Sequence, residues 1–229
     1  MPRRNLLISF YDFMMPRLCP ACSAKLGPNE ECICSCCEAS LPQMDSRQIA
    51  TEYNRRFSQQ AVVSGFFSLY IFERNSLVQN LLHSIKYQRR WQNAVYMGSR
   101  IAEKLVSLYP DGDFDMVVPV PLHRIKEAER GYNQSLYICR GICKILNKPL
   151  EDRVLYRKRF TQTQTHLSVA ERERNVKGAF GLKNAARIED KSIILADDVI
   201  TTGATVQECA KVLTSAGARS VFVVSVAIA

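Results

Sequence analysis

The chain has 229 residues, 47% of them hydrophobic, and a formal net charge of +9. That length holds one α/β domain with a small appendage, and the apolar fraction supplies a core, which excludes a disordered or fibrous chain. No apolar run reaches the roughly 20 residues that a membrane-spanning helix needs, so no membrane insertion is expected. From Lys191 onward three basic residues (Lys191, Lys211, Arg219) balance three acidic ones (Asp197, Asp198, Glu208), so the whole positive excess precedes Lys191. Such an excess suits a polyanionic ligand or nucleic acid, although a solvated basic surface has the same composition.

Taken in order, the chain opens on Met1-Pro2-Arg3-Arg4-Asn5-Leu6-Leu7-Ile8. Asp12 and Pro16 interrupt this signal-like apolar run and no small-residue cleavage site follows, so a short amphipathic helix and a cytoplasmic protein are expected. Six of the nine cysteines then fall between Cys19 and Cys37. Cys19-Pro20-Ala21-Cys22 and Cys34-Ser35-Cys36-Cys37 are two C-x-x-C pairs, giving Cys19, Cys22, Cys34 and Cys37 as the ligands of a structural tetrahedral zinc. Cys32 and Cys36 are alternative ligands for the second pair. A disulfide cluster is the rival arrangement, and it requires an oxidising compartment. The segment has too few large apolar residues for a core of its own, so the metal would supply its folding energy. Residues 1–42 are therefore read as an N-terminal helix and zinc ribbon, 43–60 as a polar linker, and 61–229 as the main domain.

Within the main domain, residues 61–72 read as one or two strands. Leu77, Val78, Leu81, Leu82 and Ile85 recur at helical spacing, with His83 and Lys86 flanking the stripe, and residues 94–108 form a second helix ended by Pro110. The strand beginning at Asp115 stops near Val118 because prolines follow, and the Val-Pro bonds there are candidates for the cis form. Tyr137, Ile138, Ile142 and Ile145 mark another helix. Residues 153–177 carry seven basic and two acidic residues. They read either as an exposed charged loop and helix or as a hood over a ligand, with Arg157, Lys158, Arg159 and Arg172 reaching an anion. Residues 221–228 are a closing strand. Alternating strands and helices of this kind make a mainly parallel α/β sheet.

The stretch that orders these elements is Ser192 to Thr205: an apolar run, the pair Asp197-Asp198, two apolar residues, then Thr201-Thr202-Gly203-Ala204-Thr205, with Val206, Cys209, Ala210 and Leu213 at helical spacing behind it. It reads as strand, turn and helix, and ligands of a parallel sheet sit beyond the carboxyl ends of its strands. Small residues and a glycine let backbone N–H groups approach an anion at a helix N-terminus, where hydroxyls add donors. Carboxylates repel phosphate but suit the vicinal hydroxyls of a ribose, or a Mg²⁺ held through them. An apolar-Asp-Asp strand also resembles the Walker B strand of nucleotide hydrolases, but no G-x-x-x-x-G-K-[ST] string is present.

Residues 192–205 resemble the 5-phosphoribosyl-1-pyrophosphate (PRPP) motif of type I phosphoribosyltransferases, with Ala196 smaller than the usual residue before the acidic pair. The resemblance implies that fold, a catalytic pair Asp197 and Asp198 on the ribose hydroxyls, and a 5-phosphate held by Thr201, Thr202, Gly203, Ala204 and Thr205. Val118-Pro119-Val120-Pro121-Leu122-His123-Arg124, Arg130-Gly131-Tyr132-Asn133-Gln134-Ser135, the series Thr161, Gln164, Leu167, Glu171-Arg172, Asn175, Gly178-Ala179-Phe180, and the four-cysteine N-terminus together resemble the ComF family, which is linked to DNA uptake and includes the GntX-type proteins. Residues 125–129, with two acids, depart from its usually more basic pattern. His123 and Arg124, beyond a strand end, are the candidate pyrophosphate contacts. The chemistry implied is Mg²⁺-dependent departure of pyrophosphate through an oxocarbenium-like transition state. No residue stands out as a general base for an acceptor. Two functions stay open: a phosphoribosyltransferase of unassigned acceptor, or a single-stranded nucleic-acid-binding protein that uses PRPP as ligand or regulator. For the second, Arg157, Lys158 and Arg159 would track phosphates while Tyr156 and Phe160 stack unpaired bases.

Overall fold

The computed structural model describes residues 16–88, 90–159 and 169–229, with backbone only for residues 169, 170, 172 and 173. The expected N-terminal amphipathic helix, Thr161, Gln164, Leu167 and the ring of Phe160 lie outside the described residues, as does the side chain of Arg172.

Four parallel strands form the central sheet: β1 (Gly65–Ile71), β2 (Met116–Pro119), β5 (Ser192–Ile200) and β6 (Ser220–Ile228), in the order β1-β6-β5-β2. The two inner strands, β5 and β6, are almost continuously apolar because helices cover both faces. Both outer edges are closed by chain rather than left open. Along β1, Met44 N–H donates to Leu69 O (3.1 Å) and Ile71 N–H to Pro42 O (3.1 Å). Along β2, Val117 exchanges bonds with Pro149 and Glu151, each 2.9 Å. β2 runs one residue past the expected stop at Val118. The inward donor at its end is Val120 N–H, to Ala196 O (2.9 Å), so the missing N–H of Pro119 faces the outer edge and breaks no ladder bond. The described peptide bonds are all trans, including those before Pro119 and Pro121.

Helices α3 (Leu77–Tyr87), α4 (Trp91–Leu108) and α6 (Gln134–Leu146) pack on the sheet, and α8 (Ala204–Ser215) follows β5. Val78, Leu81, Leu82 and Ile85 of the stripe expected in α3 are buried and Leu77 is half-buried, whereas in α6 Ile138 and Ile142 are buried, Tyr137 is half-buried and Ile145 is exposed. α4 and α6 cross at two glycines. A Cβ on Gly98 would stand 2.0 Å from the Ile138 carbonyl oxygen, and one on Gly141 2.0 Å from that of Val95. A short helix α5 (Arg124–Arg130) precedes α6, and an antiparallel pair, β3 (Leu155–Arg157) with β4 (Phe180–Leu182), stands beside the sheet with α7 (Val169–Val176) between its strands in sequence.

The segment 43–60, read from its composition as a linker, carries the eleven-residue helix α2 (Ser46–Arg56), preceded by α1 (Ser35–Ser40). Asp45 and Gln48 form a capping box at its start. Ile49, Tyr53 and Phe57 lie on one face at four-residue spacing, with Ile49 and Phe57 buried and Tyr53 packed on the core. Its polar composition hid a narrow apolar stripe that only the domain's own surface completes.

Ala at position 98 or 141 forces apart two backbones that nothing nearby can relieve. Gly98→Ala or Gly141→Ala should each cost at least about 1–3 kcal/mol, read as a lower urea midpoint with an unchanged slope.

Candidate functional site

The acidic pair sits at the carboxyl end of β5. Asp198 is buried and Asp197 half-buried. Asp197 Oδ1 accepts from Ser135 Oγ (3.0 Å) and from the Asp198 N–H (2.9 Å). Lys86 Nζ of α3 lies 3.3 Å from Asp198 Oδ2. Burial, then the neighbouring Asp198 charge, raises the Asp197 carboxyl from 3.8 to about 7 against the pull of these donors and Lys86. The residual negative charge is what a cation, or donors such as sugar hydroxyls, would relieve.

Gly203 adopts φ +83° and starts α8, as a tight turn before a helix requires. Thr202 Oγ1 accepts from the Ala204 N–H (3.3 Å), and Thr201 and Thr205 are exposed and half-buried. Behind this turn stands the end of α2: a Cβ on Gly203 would lie 3.0 Å from the Phe57 ring. Gln207 donates to Arg56 O, and Arg56 to Ala229 O. The helix read as linker therefore supports the Thr201–Thr205 turn from behind.

The Arg130–Ser135 string connects the loop after β2 to the acidic pair, residue by residue. Gly131 ends α5 with φ 85°. Arg130 donates to Gln134 Oε1 (2.7 Å), and Tyr132 OH donates to Ile85 O of α3. Asn133 caps α6 and donates to Val120 O (3.1 Å). Ser135 reaches Asp197. The pair's own supports, Lys86 and Ser135, were not singled out from sequence. Ser135 was visible inside the Arg130–Ser135 string, but without a partner; Lys86 showed only as a residue flanking an apolar stripe.

His123 caps α5, its Nδ1 accepting from the Ile125 N–H (3.3 Å). His123 and Arg124 line a cavity of about 560 Å³, which also takes in Tyr156, Arg157, Lys158 and Lys183, with Glu127 and Asp152 as its carboxylates. Two residue groups given separate tasks from sequence, His123 with Arg124 and Arg157 with Lys158, thus share one wall-to-wall space between the loop after β2 and the β3–β4 pair. Asp197, Asp198 and Thr201–Thr205 do not line it. Arg157 is half-buried, its guanidinium 5.3 Å from the Phe180 ring centroid, and burial lowers its pKa while Cys209 and Asp197 oppose this. Arg159 donates to Lys177 O (3.0 Å) and Asn175 O (3.4 Å), away from the cavity lining.

The sulfurs of Cys19, Cys22, Cys34 and Cys37 all lie within 4.8 Å of one another. A tetrahedral zinc with bonds of ~2.3 Å spaces its sulfurs about 3.8 Å apart, so the cluster fits such a metal with little adjustment. Burial pushes the Cys19 thiol up, but the N–H groups of Cys34, Cys22 and Ala21 outweigh it and bring it down to about 7. Glu30 joins the two knuckles, accepting from the Gly27 and Ser35 N–H groups (2.6 Å each). Cys32 points elsewhere, donating to Asn93 Oδ1 of α4 (3.2 Å), and Cys36 is exposed. Asn80 to Ala21 O (2.9 Å) and Arg100 to Glu38 (2.7 Å) dock the module on α3 and α4.

Over 144 residues the chain is 33% identical to the DNA utilization protein YhgH of Salmonella typhi and 32% to that of Escherichia coli K12, spanning 62% of this chain and 63% of each relative. It is 34% identical over 108 residues to competence protein F of Haemophilus influenzae, 47% of either chain. The chain is similar in sequence to these DNA utilization and competence proteins. The alignments cover less than two thirds of the relatives' length. A further 133 residues align at 28% identity with 24% of the amidophosphoribosyltransferase of E. coli K12. No family model matches the chain. Among solved structures, a glutamine PRPP amidotransferase from B. subtilis superposes with a TM-score of 0.41 at 21% identity, covering 62% of this chain and 30% of that one. A Staphylococcus aureus hypoxanthine phosphoribosyltransferase gives 0.38 at 16% identity, covering 67% and 71%. Among the described residues no helix is long and apolar enough to cross a membrane.

Two outcomes follow from this geometry. Reduced protein should carry about one zinc per chain; Cys34→Ser should lose it and Cys32→Ser should keep it, by metal analysis. Asp197 binds its proton more tightly folded than unfolded, so it subtracts stability as pH rises from 3.8 to about 7. Asp197→Asn should therefore melt higher than wild type at pH 8 in metal-free buffer and match it at pH 3, by calorimetry.

Proposed function

We propose that the chain is a PRPP-binding, phosphoribosyltransferase-like protein that works beside nucleic acid. The observation that carries this reading is Asp197-Asp198 near the carboxyl end of a central parallel strand, with a left-handed glycine that starts a helix five residues after Asp198. The acids take the ribose diol, and Thr201, Thr202 and Thr205 with the first N–H groups of α8 take the 5-phosphate. His123 and Arg124, beyond the end of β2, face the pyrophosphate. Asp197 and Asp198 would help to hold a Mg²⁺, which would supply neutralisation of the negative charge on a leaving pyrophosphate. Ser135 and Lys86 orient the two carboxylates, which keeps the acceptor atoms directed at one place.

The names of the relatives, DNA utilization protein and competence protein F, favour a polymer partner as well. A single-stranded nucleic acid fits a chain of net charge +9, with PRPP as its substrate or its regulator. Pyrophosphate release on adding nucleobases, amines or single-stranded DNA separates transferase from sensor.

Titration calorimetry with PRPP should show Mg²⁺-dependent binding. Asp198→Asn should weaken it by removing charge from the diol site, and Thr202→Val should cost roughly 1.5–3 kcal/mol for a lost bond to a charged group. Equal binding by wild type and both variants would contradict the assignment.

A further inference from the structure

The two segments that meet beside the acidic pair are free of acid. Residues 74–102 hold five basic residues (Arg74, Lys86, Arg89, Arg90, Arg100) and residues 130–150 hold four (Arg130, Arg140, Lys144, Lys148), with no Asp or Glu in either. Packing joins them through α4 and α6, which cross at Gly98 and Gly141 and bring Trp91, at the start of α4, to Tyr137 of α6. Carboxylates outside the segments engage part of this charge: Asp198 lies 3.3 Å from Lys86, Glu38 and Glu103 pair with Arg100 (2.7 and 2.8 Å), and Glu129 of α5 pairs with Lys126 (3.2 Å), which leaves Arg130 and Arg140 beside the rings described next.

On the surface these two segments form, two aromatic side chains stand outward. Tyr87, at the end of α3, is 62% exposed, and Trp91, at the start of α4, is 43% exposed. Neither is needed to fill the core, yet both are held. The Arg130 guanidinium lies 5.8 Å from the Tyr87 ring centroid, and the His83 ring 4.7 Å from it. Trp91 lies 5.4 Å from Tyr137, which is backed by Tyr132 at 5.1 Å and by the Arg140 guanidinium at 4.4 Å. Scattered exposed aromatics are ordinary on a protein surface. Exposed rings fixed by other rings and by guanidinium groups suit single strands: cations track the phosphates while rings stack unpaired bases. The alternative surface around Arg157 offers one such ring, Tyr156 with Lys183 Nζ 5.2 Å from its centroid, while Arg157 is half-buried on Phe180 and Arg159 is engaged with carbonyls.

We infer that a single-stranded nucleic acid docks on the Tyr87–Trp91–Tyr137 surface, its bases stacking on Tyr87 and Trp91 and its phosphates meeting Arg130 and Arg140. This rests on the nucleic-acid half of the function proposed above and not on its sugar-phosphate half. The same turn of α3 carries Lys86 to Asp198 and Tyr87 outward, so the strand would lie next to the acidic pair.

Trp91 is the sole tryptophan, so its emission reports on this surface alone. Addition of a 20-nucleotide oligo-dT to the full chain at low salt should quench it in parallel with a rise in anisotropy of the labelled oligonucleotide. Tyr87→Ala and Trp91→Ala should each weaken binding about tenfold, Trp91→Phe should largely restore it, and a duplex of equal length should bind more weakly. Arg140→Ala should reduce the salt slope by about one. An oligo-U strand of equal length distinguishes RNA from DNA as the source of the bases. The inference is overturned by absence of binding at low salt, by unchanged affinity in both alanine variants, by a duplex binding as tightly as the single strand, or by binding that leaves Trp91 emission unmoved and is lost in the Arg157→Ala, Lys158→Ala double variant. PRPP calorimetry on the same preparations keeps the two readings apart. Quenching without PRPP binding leaves this surface standing and removes the sugar-phosphate reading; PRPP binding without an oligonucleotide response does the reverse.

Discussion

Two adjacent carboxylates at the end of a buried strand are costly, and much of the surrounding structure answers that cost. β5 must be apolar to lie inside the sheet, yet it carries Asp197 and Asp198 just before its end at Ile200. A buried charge survives only with partners. The partners come from distant segments: Ser135 at the start of α6, Lys86 at the end of α3, and the Asp198 N–H itself. They compensate incompletely, since Asp197 still holds its proton to about pH 7. A site left short of positive charge is poised for a cation or for hydroxyl donors, whereas a fully neutralised one would be a structural ion pair and nothing more.

The same supports set where other groups stand. Asn133 caps α6 and binds Val120 O, so the helix that presents Ser135 also holds the loop carrying His123 and Arg124. Tyr132 ties that helix start to Ile85, next to Lys86. A movement of α6 would therefore reach the acid pair, the loop after β2 and the end of α3 together. The α4–α6 glycine crossing limits such movement, because backbones in direct contact have no flexible side chains between them to absorb a shift.

The cysteine module and α2 are fastened to the domain by different means. The module has its sulfur cluster and a few directional bonds, Asn80 to Ala21 and Cys32 to Asn93 among them. Helix α2 relies on Ile49, Tyr53 and Phe57, and its last turn stands behind Gly203. A stretch of chain that composition alone reads as spacer is thus part of the wall behind the Thr201–Thr205 turn.

Local patterns carried most of the elements. The 3.6-residue stripes of α3, α4, α6 and α8, the acid pair after an apolar run, the left-handed Gly203 and the two C-x-x-C pairs each depend on residues within about a turn or two of one another, and so are legible without a partner segment. The sequence by itself determined the parallel α/β class, the place of the acidic turn and the Cys19–Cys22 half of the sulfur cluster. What it left open was decided by contacts between segments far apart. Asn93 turned Cys32 out of the sulfur cluster, Phe180 drew Arg157 inward, and the domain surface made a helix of residues 46–56. Trp91 met Tyr137 only because two glycines let α4 and α6 touch. Spacing along a chain sets which side chains share a face; which of them are buried, paired or left to a ligand depends on what the fold brings opposite.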